Sequence, residues 1–443
     1  MQSALAKLSS QSAIIVRLPA AWICLILQQN MGIFMTRALL ISSVMLTAIL
    51  AACSPETSAP QADTDYQDTL QTQLLDAQPG DIITIPAGTH SLNRGLSLSV
   101  DGVTIRGEGM GTSILSFKDQ VAGAEGLLVT ASDFTIEDLA IEDTTGDALK
   151  ITEGENIIIR RVRTEWTNGP STKNGAYGIY PVQTTNVLME DNVAIGASDA
   201  GLYIGQSKNV IVRRNRAEFN VAGIEIENTV DADVYDNIAT NNTGGILVFN
   251  MPNLAQEGKR ARLFRNEVYE NNTKNFGHKG TPVASIPAGS GIVVNSNDHV
   301  EIFDNDVRDH RTANVIISSV YSTNYAQDNA NPEYDPYPEA IYIYGNRFSG
   351  GGNSPDGLDL KALKTAMYGL TGRFPDVLWD GFKNDAKMVD GKMPEAMRIC
   401  INNGDTMMIN ADGPGGYKSP TKDMADHKCE LEKLPPVTLA LAD

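Results

Sequence analysis

An all-β chain wound as a single-stranded parallel β-helix is the fold this sequence predicts. Three observations predict it. First, the chain repeats itself: GLYIGQSKNVIVRRNRAEFN at 201–220 is followed by GIEIENTVDADVYDNIATNN at 223–242, and Gly178, Gly201, Gly223 and Gly245 fall at steps of roughly 22 residues. Second, Asn192, Asn215 and Asn237 each fall 14 residues after the first three of those glycines. Third, aliphatic residues alternate inside each copy (Val210 and Val212, Ile224 and Ile226, Val300 and Ile302), the pattern of a half-buried strand. Three short strands per copy, punctuated by Gly, Asn and Asp, make one coil. Coils stack at strand spacing, roughly 4.8 Å, so equivalent residues lie above one another. A propeller or a leucine-rich repeat would need signature dipeptides or a Leu period, and neither is present. Composition agrees: 39 Gly and 42% hydrophobic residues against 6% aromatics suit short strands and tight turns better than a helical bundle.

The chain opens with a targeting segment at 1–52. MTRALLISSVMLTAILAACS supplies a basic Arg37, an apolar run too short to span a bilayer, and small residues before Cys53. Leu50, Ala51, Ala52 and Cys53 resemble a bacterial lipobox, which implies cleavage before Cys53 and lipid on that residue. Ser54 in place of Asp implies sorting to the outer membrane. A plain transmembrane anchor is the competing interpretation. Met31 and Met35 are better starts than Met1, so the first thirty residues read as an over-extended frame. Residues 53–66 read as a tether.

The β-helix is expected over 67–352. QDTLQTQLLDA, residues 67–77, has helical apolar spacing and would cover the open first coil, whose backbone is otherwise free to pair with other chains. PGDIITIPAGTHSL and VDGVTIRGEG follow, with His90 where an aromatic is usual. These stretches resemble the opening of the pectate-lyase-like superfamily, which implies a right-handed β-helix with a cap helix. Weaker copies of the repeat lie around Ala148 and Val162. After Gly245 the asparagine arrives at Asn266, seven residues late, because of an insertion within PNLAQEGKR; Gly291 and Asn305 restore the spacing, and the copies end at Asn346. Asn192, Asn215, Asn237, Asn266, Asn305 and Asn346 are expected to form one ladder, each amide donating to the next. The NNT turns at Asn241–Thr243 and Asn271–Thr273 keep the same register.

GIYPVQTTNVL, GASDAGLYIGQSKNVIV, FNVAGIEIEN and NNTGGILVFNMPNLAQ resemble, more narrowly, an exported bacterial family of parallel β-helix repeat proteins with a C-terminal extension. That resemblance implies fold, export and no established activity. It also implies a companion, since relatives tend to be encoded beside a second exported protein. Residues 353–443 read as a capping segment of helix and loop rather than coils. Cys400 and Cys429 remain once Cys24 and Cys53 are assigned to the leader and the anchor; in an oxidising compartment they are expected to pair, with two free thiols as the alternative.

The formal charge of −19 makes nucleic acid an improbable partner and disfavours anionic polymers unless a cation or a basic patch intervenes. Motifs of known β-helix enzymes are near misses. GHKG at 277–280 stands without the other polygalacturonase-like elements, RFPD at 373–376 lacks a second Arg, and EYDPYPE at 333–339 has Tyr337 where an epimerase-like motif needs His.

The alternation is more informative. If Ile224 and Ile226 point inward, Glu225 and Glu227 point outward, roughly 7 Å apart along one strand. One coil earlier the same face carries Tyr203 and Gly205, two earlier Tyr180 and Val182, one later Leu247 and Phe249. Tyr180, Tyr203 and Phe249 could stack on sugar rings. Glu225 and Glu227 could hold Ca²⁺ or serve as acid and base. The plain alternative is a solvated pair on an acidic strand, with the apolar part under the C-terminal segment. His310 with Arg311 could act beside a uronate, or cap a turn; His278, Lys279 and Lys173 lie in loops; Asp147 and Asp199 are expected to bond turn amides. Two functions follow. One is a lipid-anchored envelope protein that binds an extended polysaccharide and acts on it as lyase, epimerase or hydrolase. The other is a non-catalytic scaffold that docks another exported protein. No cofactor beyond Ca²⁺ is indicated, and a monomer is expected.

Overall fold

The computed structural model describes residues 64–323, 333–439 and 441; the leader, Cys53 and most of the tether lie outside the described residues. Every pairing between its strands is parallel, in one 19-stranded and one 11-stranded sheet. Register is vertical. Ile179, Leu202, Ile224, Ile246, Ile292, Val315, Val377 and Met408 pair in sequence up the smaller sheet. Val187, Val210, Ala232, Ala261, Val300, Ile341 and Ile399 do the same on the larger one. A third column runs Ala194, Ala217, Ala239, Val268 and Val307. These columns are buried and form the core, as three strands per copy require.

Two internal ladders close the corners. In the first, the Asn237 side chain accepts from the backbone N–H and the Nδ2 of Asn215, both at 2.9 Å, and donates to Val212 O and to Asn266 Oδ1 at 2.9 Å. The same pattern runs from Asn192 to Asn346 and ends on Asn403. The residue before each ladder asparagine has positive φ: Asp191, Arg214, Asp236, Arg265, Asp304 and Gly345. For residues with a Cβ this conformation is costly. Arg214 and Arg265 there pair with Asp191 and Asp236 one coil below, at 2.9 and 2.8 Å.

The second ladder explains the repeated glycine. Asn220 donates to Asn242 Oδ1 and Asn242 to Asn271 Oδ1. A Cβ on Gly201, Gly223 or Gly245 would come within 2.6, 2.7 or 2.8 Å of the amide nitrogen of Asn220, Asn242 or Asn271. Glycine is what lets those amides lie flat against the strand. The fourth rung is His310. Asn271 Nδ2 donates to its Nε2 at 3.1 Å, which leaves Nδ1–H to donate to Asn314 Oδ1 at 3.0 Å. Burial lowers the His310 pKa to about 4, so the ring is a neutral structural spacer and not a surface base. Arg311 beside it is exposed.

Helix α1, Thr64–Asp76, covers the first coil. Leu70 and Leu74 enter the core. Gln67 accepts the Asn93 N–H, and Gln71 both accepts from and donates to the Ser97 backbone. His90 stacks on Tyr66 at 4.0 Å, filling the aromatic place. Among the described residues no helix is long and apolar enough to cross a membrane.

The sheets continue past residue 352. Val377–Trp379 and Met408–Asn410 extend the smaller sheet, and Ile399–Asn402 extends the larger. The step from Val315 to Val377 spans 62 residues, so the 22-residue period that marks a coil is lost although the coil itself persists. Helix α2, Leu358–Tyr368, sits in this long excursion.

Cys400 and Cys429 form a disulfide across 29 residues. Beyond it the tail turns back over the larger sheet, where the N–H groups of Leu434 and Val437 donate to Glu301 and Asp233 at 3.2 Å. Cys429→Ser should cost about 3–4 kcal/mol by loop closure and open the tail to limited proteolysis; an unchanged urea midpoint and digestion pattern would show that the tail is held without it.

Candidate functional site

The outward wall of the smaller sheet divides into two halves. Along it, Lys150, Tyr180, Tyr203, Glu225, Leu247, Val293 and Ile316 follow one another in register, with Gly205, Glu227, Phe249 and Asn295 two residues further along their strands.

The apolar half is covered by this chain. Leu247, Phe249, Val293 and Ile316 pack beneath Val283 and Ile286 of the 271–289 excursion, Phe374, and α2 side chains including Leu363 and Met367. Phe249 is 1% exposed, which removes it from any sugar-stacking surface.

The other half is polar. Tyr177, Tyr180 and Tyr203 crowd together, with ring centroids 4.4, 4.5 and 4.9 Å apart. Tyr203 is 3% exposed, while Tyr177, Tyr180 and Glu227 are half-buried and form the partly exposed rim of the group. The Tyr203 ring folds over Gly205, where a Cβ would sit 2.3 Å from it, and its hydroxyl donates to Glu227 Oε1 at 2.7 Å. Glu225 is 1% exposed, and among the described residues its Oε2 has no hydrogen-bond partner. Asp199, at the corner one coil earlier, is 6% exposed.

Burial, and then mutual repulsion, pushes Asp199 and Glu225 well above the usual carboxylate range. Burial raises Glu227 to about 6 against the lowering bond from Tyr203. Among the described residues no basic side chain pairs with any of the three. The nearby Lys150 is engaged with Glu125 at 3.4 Å and lies 5.2 Å from the Tyr180 ring centre. It draws down Asp147, which burial nevertheless raises to about 6.

The spacing brought Tyr180, Tyr203, Glu225 and Glu227 together; it missed Tyr177 and Asp199. Asp147 Oδ1 does accept a backbone N–H, that of Tyr177 at 3.2 Å, but Asp199 faces the carboxyl group instead. His278, Lys279 and Lys173 stand exposed in their loops. Among the described residues Glu225 and Glu227 meet no third carboxyl at metal-ligand spacing. Among the described residues such a group is Asp298, Asp335 and Glu339, where Lys387 already bonds Asp335 and Glu339 at 2.5 and 2.7 Å.

A family model described as a right-handed β-helix region matches residues 101–256. The fold is a right-handed parallel β-helix. No curated protein matches the sequence. Among solved structures the β-helix is similar to the A-module of the Azotobacter vinelandii mannuronan C-5 epimerase AlgE4, at 18% identity over 68% of this chain and 83% of that one, with a TM-score of 0.44. It is similar to an alginate lyase from Paenibacillus sp. str. FPU-7, at 16% identity over 63% and 92%, TM-score 0.39. It is also similar to DFA-IIIase from Arthrobacter chlorophenolicus A6 without its lid, at 10% identity over 79% and 96%, TM-score 0.46. Chemistry at this β-helix rests on the residues of its own wall.

Proposed function

We propose that this is a lipid-anchored envelope protein that binds an extended polysaccharide at the Tyr177–Tyr180–Tyr203 rim and hydrolyses it by acid–base chemistry. The observation that carries the reading is the pair Glu225 and Glu227: two carboxyls on one strand in unlike surroundings, Glu225 1% exposed and Glu227 half-buried and bonded by the Tyr203 hydroxyl. Glu225, fully buried, keeps its proton and serves as the acid; Glu227, braced by Tyr203, is the base. Hydrolysis asks only for two carboxyls, one protonated and one ionised, within reach of one glycosidic bond. The lipid anchor is supported by the Leu50–Cys53 motif. A docking scaffold would need an open apolar wall, and the chain covers its own.

The test offers uronic, neutral and amino polysaccharides to the mature protein and follows new reducing ends and unsaturated products. Reducing ends should appear with one polymer and fall about 100-fold or more in Glu225→Gln. Unsaturated products, or full turnover by that variant, would overturn the assignment.

A further inference from the structure

We propose that the chain carries a Ca²⁺ site at the corner formed by Asp298, Asp335 and Glu339, where the ion takes the place of the Lys387 ammonium. The site shares no residue with the Tyr177–Tyr180–Tyr203 rim and is independent of the glycan reading.

Stacking builds the corner. Asp298 opens the strand Asp298–Phe303, and Val300 of that strand pairs with Ile341 one coil later. Glu339, two residues before Ile341, therefore falls over Asp298, and its N–H donates to Asp298 Oδ1 at 3.1 Å. Asp335 is brought in by the turn that precedes, where its Oδ1 accepts the Tyr337 N–H at 3.1 Å. One oxygen from each of the three lies within 4.8 Å of the others. Two oxygens on one calcium ion stand at most about 5 Å apart, twice a bond of about 2.3–2.6 Å. Asp298 and Asp335 are half-buried, so the corner can be reached from solvent, and Glu339 also borders a cavity of about 180 Å³.

Neighbouring acids alone would not call for an ion; two buried oxygens do. Glu339 is 4% exposed, and among the described residues its Oε1 has no hydrogen-bond partner. Asn297, next to Asp298 in the chain, is also buried, and its Oδ1 likewise has no partner among the described residues. Buried acceptors without a donor are costly. The balance of charge points the same way. Glu137 alone meets Arg106, Arg160 and Arg161. Here three carboxyls share one lysine, whose Nζ donates to Asp335 Oδ2 at 2.5 Å and Glu339 Oε2 at 2.7 Å. Burial and the two neighbouring carboxyls push Asp298 up to about 8, so one ammonium leaves the group unbalanced. Calcium brings twice the charge and accepts about six to eight oxygens, where an ammonium has three donors. Lys387 ends the short turn Asp385–Lys387, and its side chain is 33% exposed, so it can swing into water. Mg²⁺ demands a regular octahedron and dehydrates reluctantly, so carboxyls from separate stretches of chain suit Ca²⁺ better.

Titration calorimetry on the mature protein, stripped with EDTA and offered CaCl₂ or MgCl₂ alone, tests this. One Ca²⁺ per chain should bind with a Kd on the order of 10⁻⁴–10⁻³ M, and Mg²⁺ about 10-fold or more weakly. Asp298→Asn and Glu339→Gln, their folds checked by circular dichroism, should each weaken Ca²⁺ about 10-fold or more. Lys387→Met should tighten it about 10-fold, because the competing ammonium is gone, and a gain in affinity cannot come from misfolding. Four results would each overturn the site: no Ca²⁺ bound by the unmodified chain, equal affinity for Mg²⁺, Ca²⁺ binding unchanged in both carboxyl variants (diffuse attraction to the acidic surface), or no tightening in Lys387→Met. None of them bears on the polysaccharide panel, so the glycan reading stands or falls separately.

Discussion

Asn237→Ala is expected to lower the unfolding free energy by about 3–5 kcal/mol, the largest effect of any single polar truncation considered for this protein. The loss would come from groups left behind. Without the amide, the backbone N–H and the Nδ2 of Asn215 lose their acceptor, and Val212 O loses its donor. All lie inside the coil, where water does not replace them, and each orphaned buried group costs about 1–3 kcal/mol. Asn237→Asp should do no better, since a carboxylate cannot donate to Val212 O and would face Asn266 Oδ1. Asn209→Ala is the control. Asn209 belongs to an outer, half-buried row, donating to Asn186 Oδ1 at 3.2 Å, and its loss should cost about 1 kcal/mol, part of it from placing Ala at a positive φ. Urea unfolding compares the three. Equal midpoints for Asn237→Ala and Asn209→Ala would mean that the inner ladder is ornamental.

The second large effect has the opposite sign. Glu225→Gln with Glu227→Gln should stabilise the free protein at neutral pH while abolishing its chemistry. Asp199, Glu225 and Glu227 have folded-state pKa values above their ordinary ones, Glu227 moving from the usual 4.5 to about 6. The folded state therefore binds more protons than the unfolded chain. Stability is fullest below the ordinary carboxyl value and is lost as pH rises through the raised ones. The double variant removes two of the three titrations, so its stability should fall less steeply, with a gain on the order of 2 kcal/mol at neutral pH from Glu227 and a further gain of the same sign from Glu225. Near pH 4.5 and below, where the wild-type carboxyls are themselves neutral, the two proteins should converge. A variant less stable than wild type at neutral pH would show that the group is satisfied in a way the geometry does not reveal.

How much of this was readable in advance depends on which forces leave a period behind. The first ladder was legible because an asparagine facing an asparagine must recur at one offset, and the register carried Glu225 and Glu227 onto the wall with Tyr180 and Tyr203. The second ladder was half legible: its glycines repeat, but the NNT turns expected in one register are one residue out of step, the rung being the second asparagine at Asn242 and the first at Asn271, and His310 replaces asparagine as the next rung; a histidine in a turn looks reactive until its two partners are known. Asp199 was hidden by its position. An Asp before a strand normally bonds a turn amide, as Asp147 does. What covers Leu247 and Phe249 left no pattern at all, because Ile286, Leu363 and Phe374 reach the wall from separate excursions of different length. The coils beyond 352 were missed for the same reason, since a coil interrupted by a long excursion has lost its interval though not its pairing.

Consider, finally, what the upright columns would mean for a gene that duplicated one turn. A copied segment of about 22 codons would find matching neighbours above and below, and the tower would gain one storey of roughly 4.8 Å. Its masonry would be indifferent to the addition. The roof would not, because Ile286, Leu363 and Phe374 descend from farther along and land on fixed floors. Insert or remove a storey beneath them and they no longer land on Leu247 and Phe249. Counting turns, more than editing side chains, would then be the simplest way for descendants of this molecule to change how much of that wall stays uncovered.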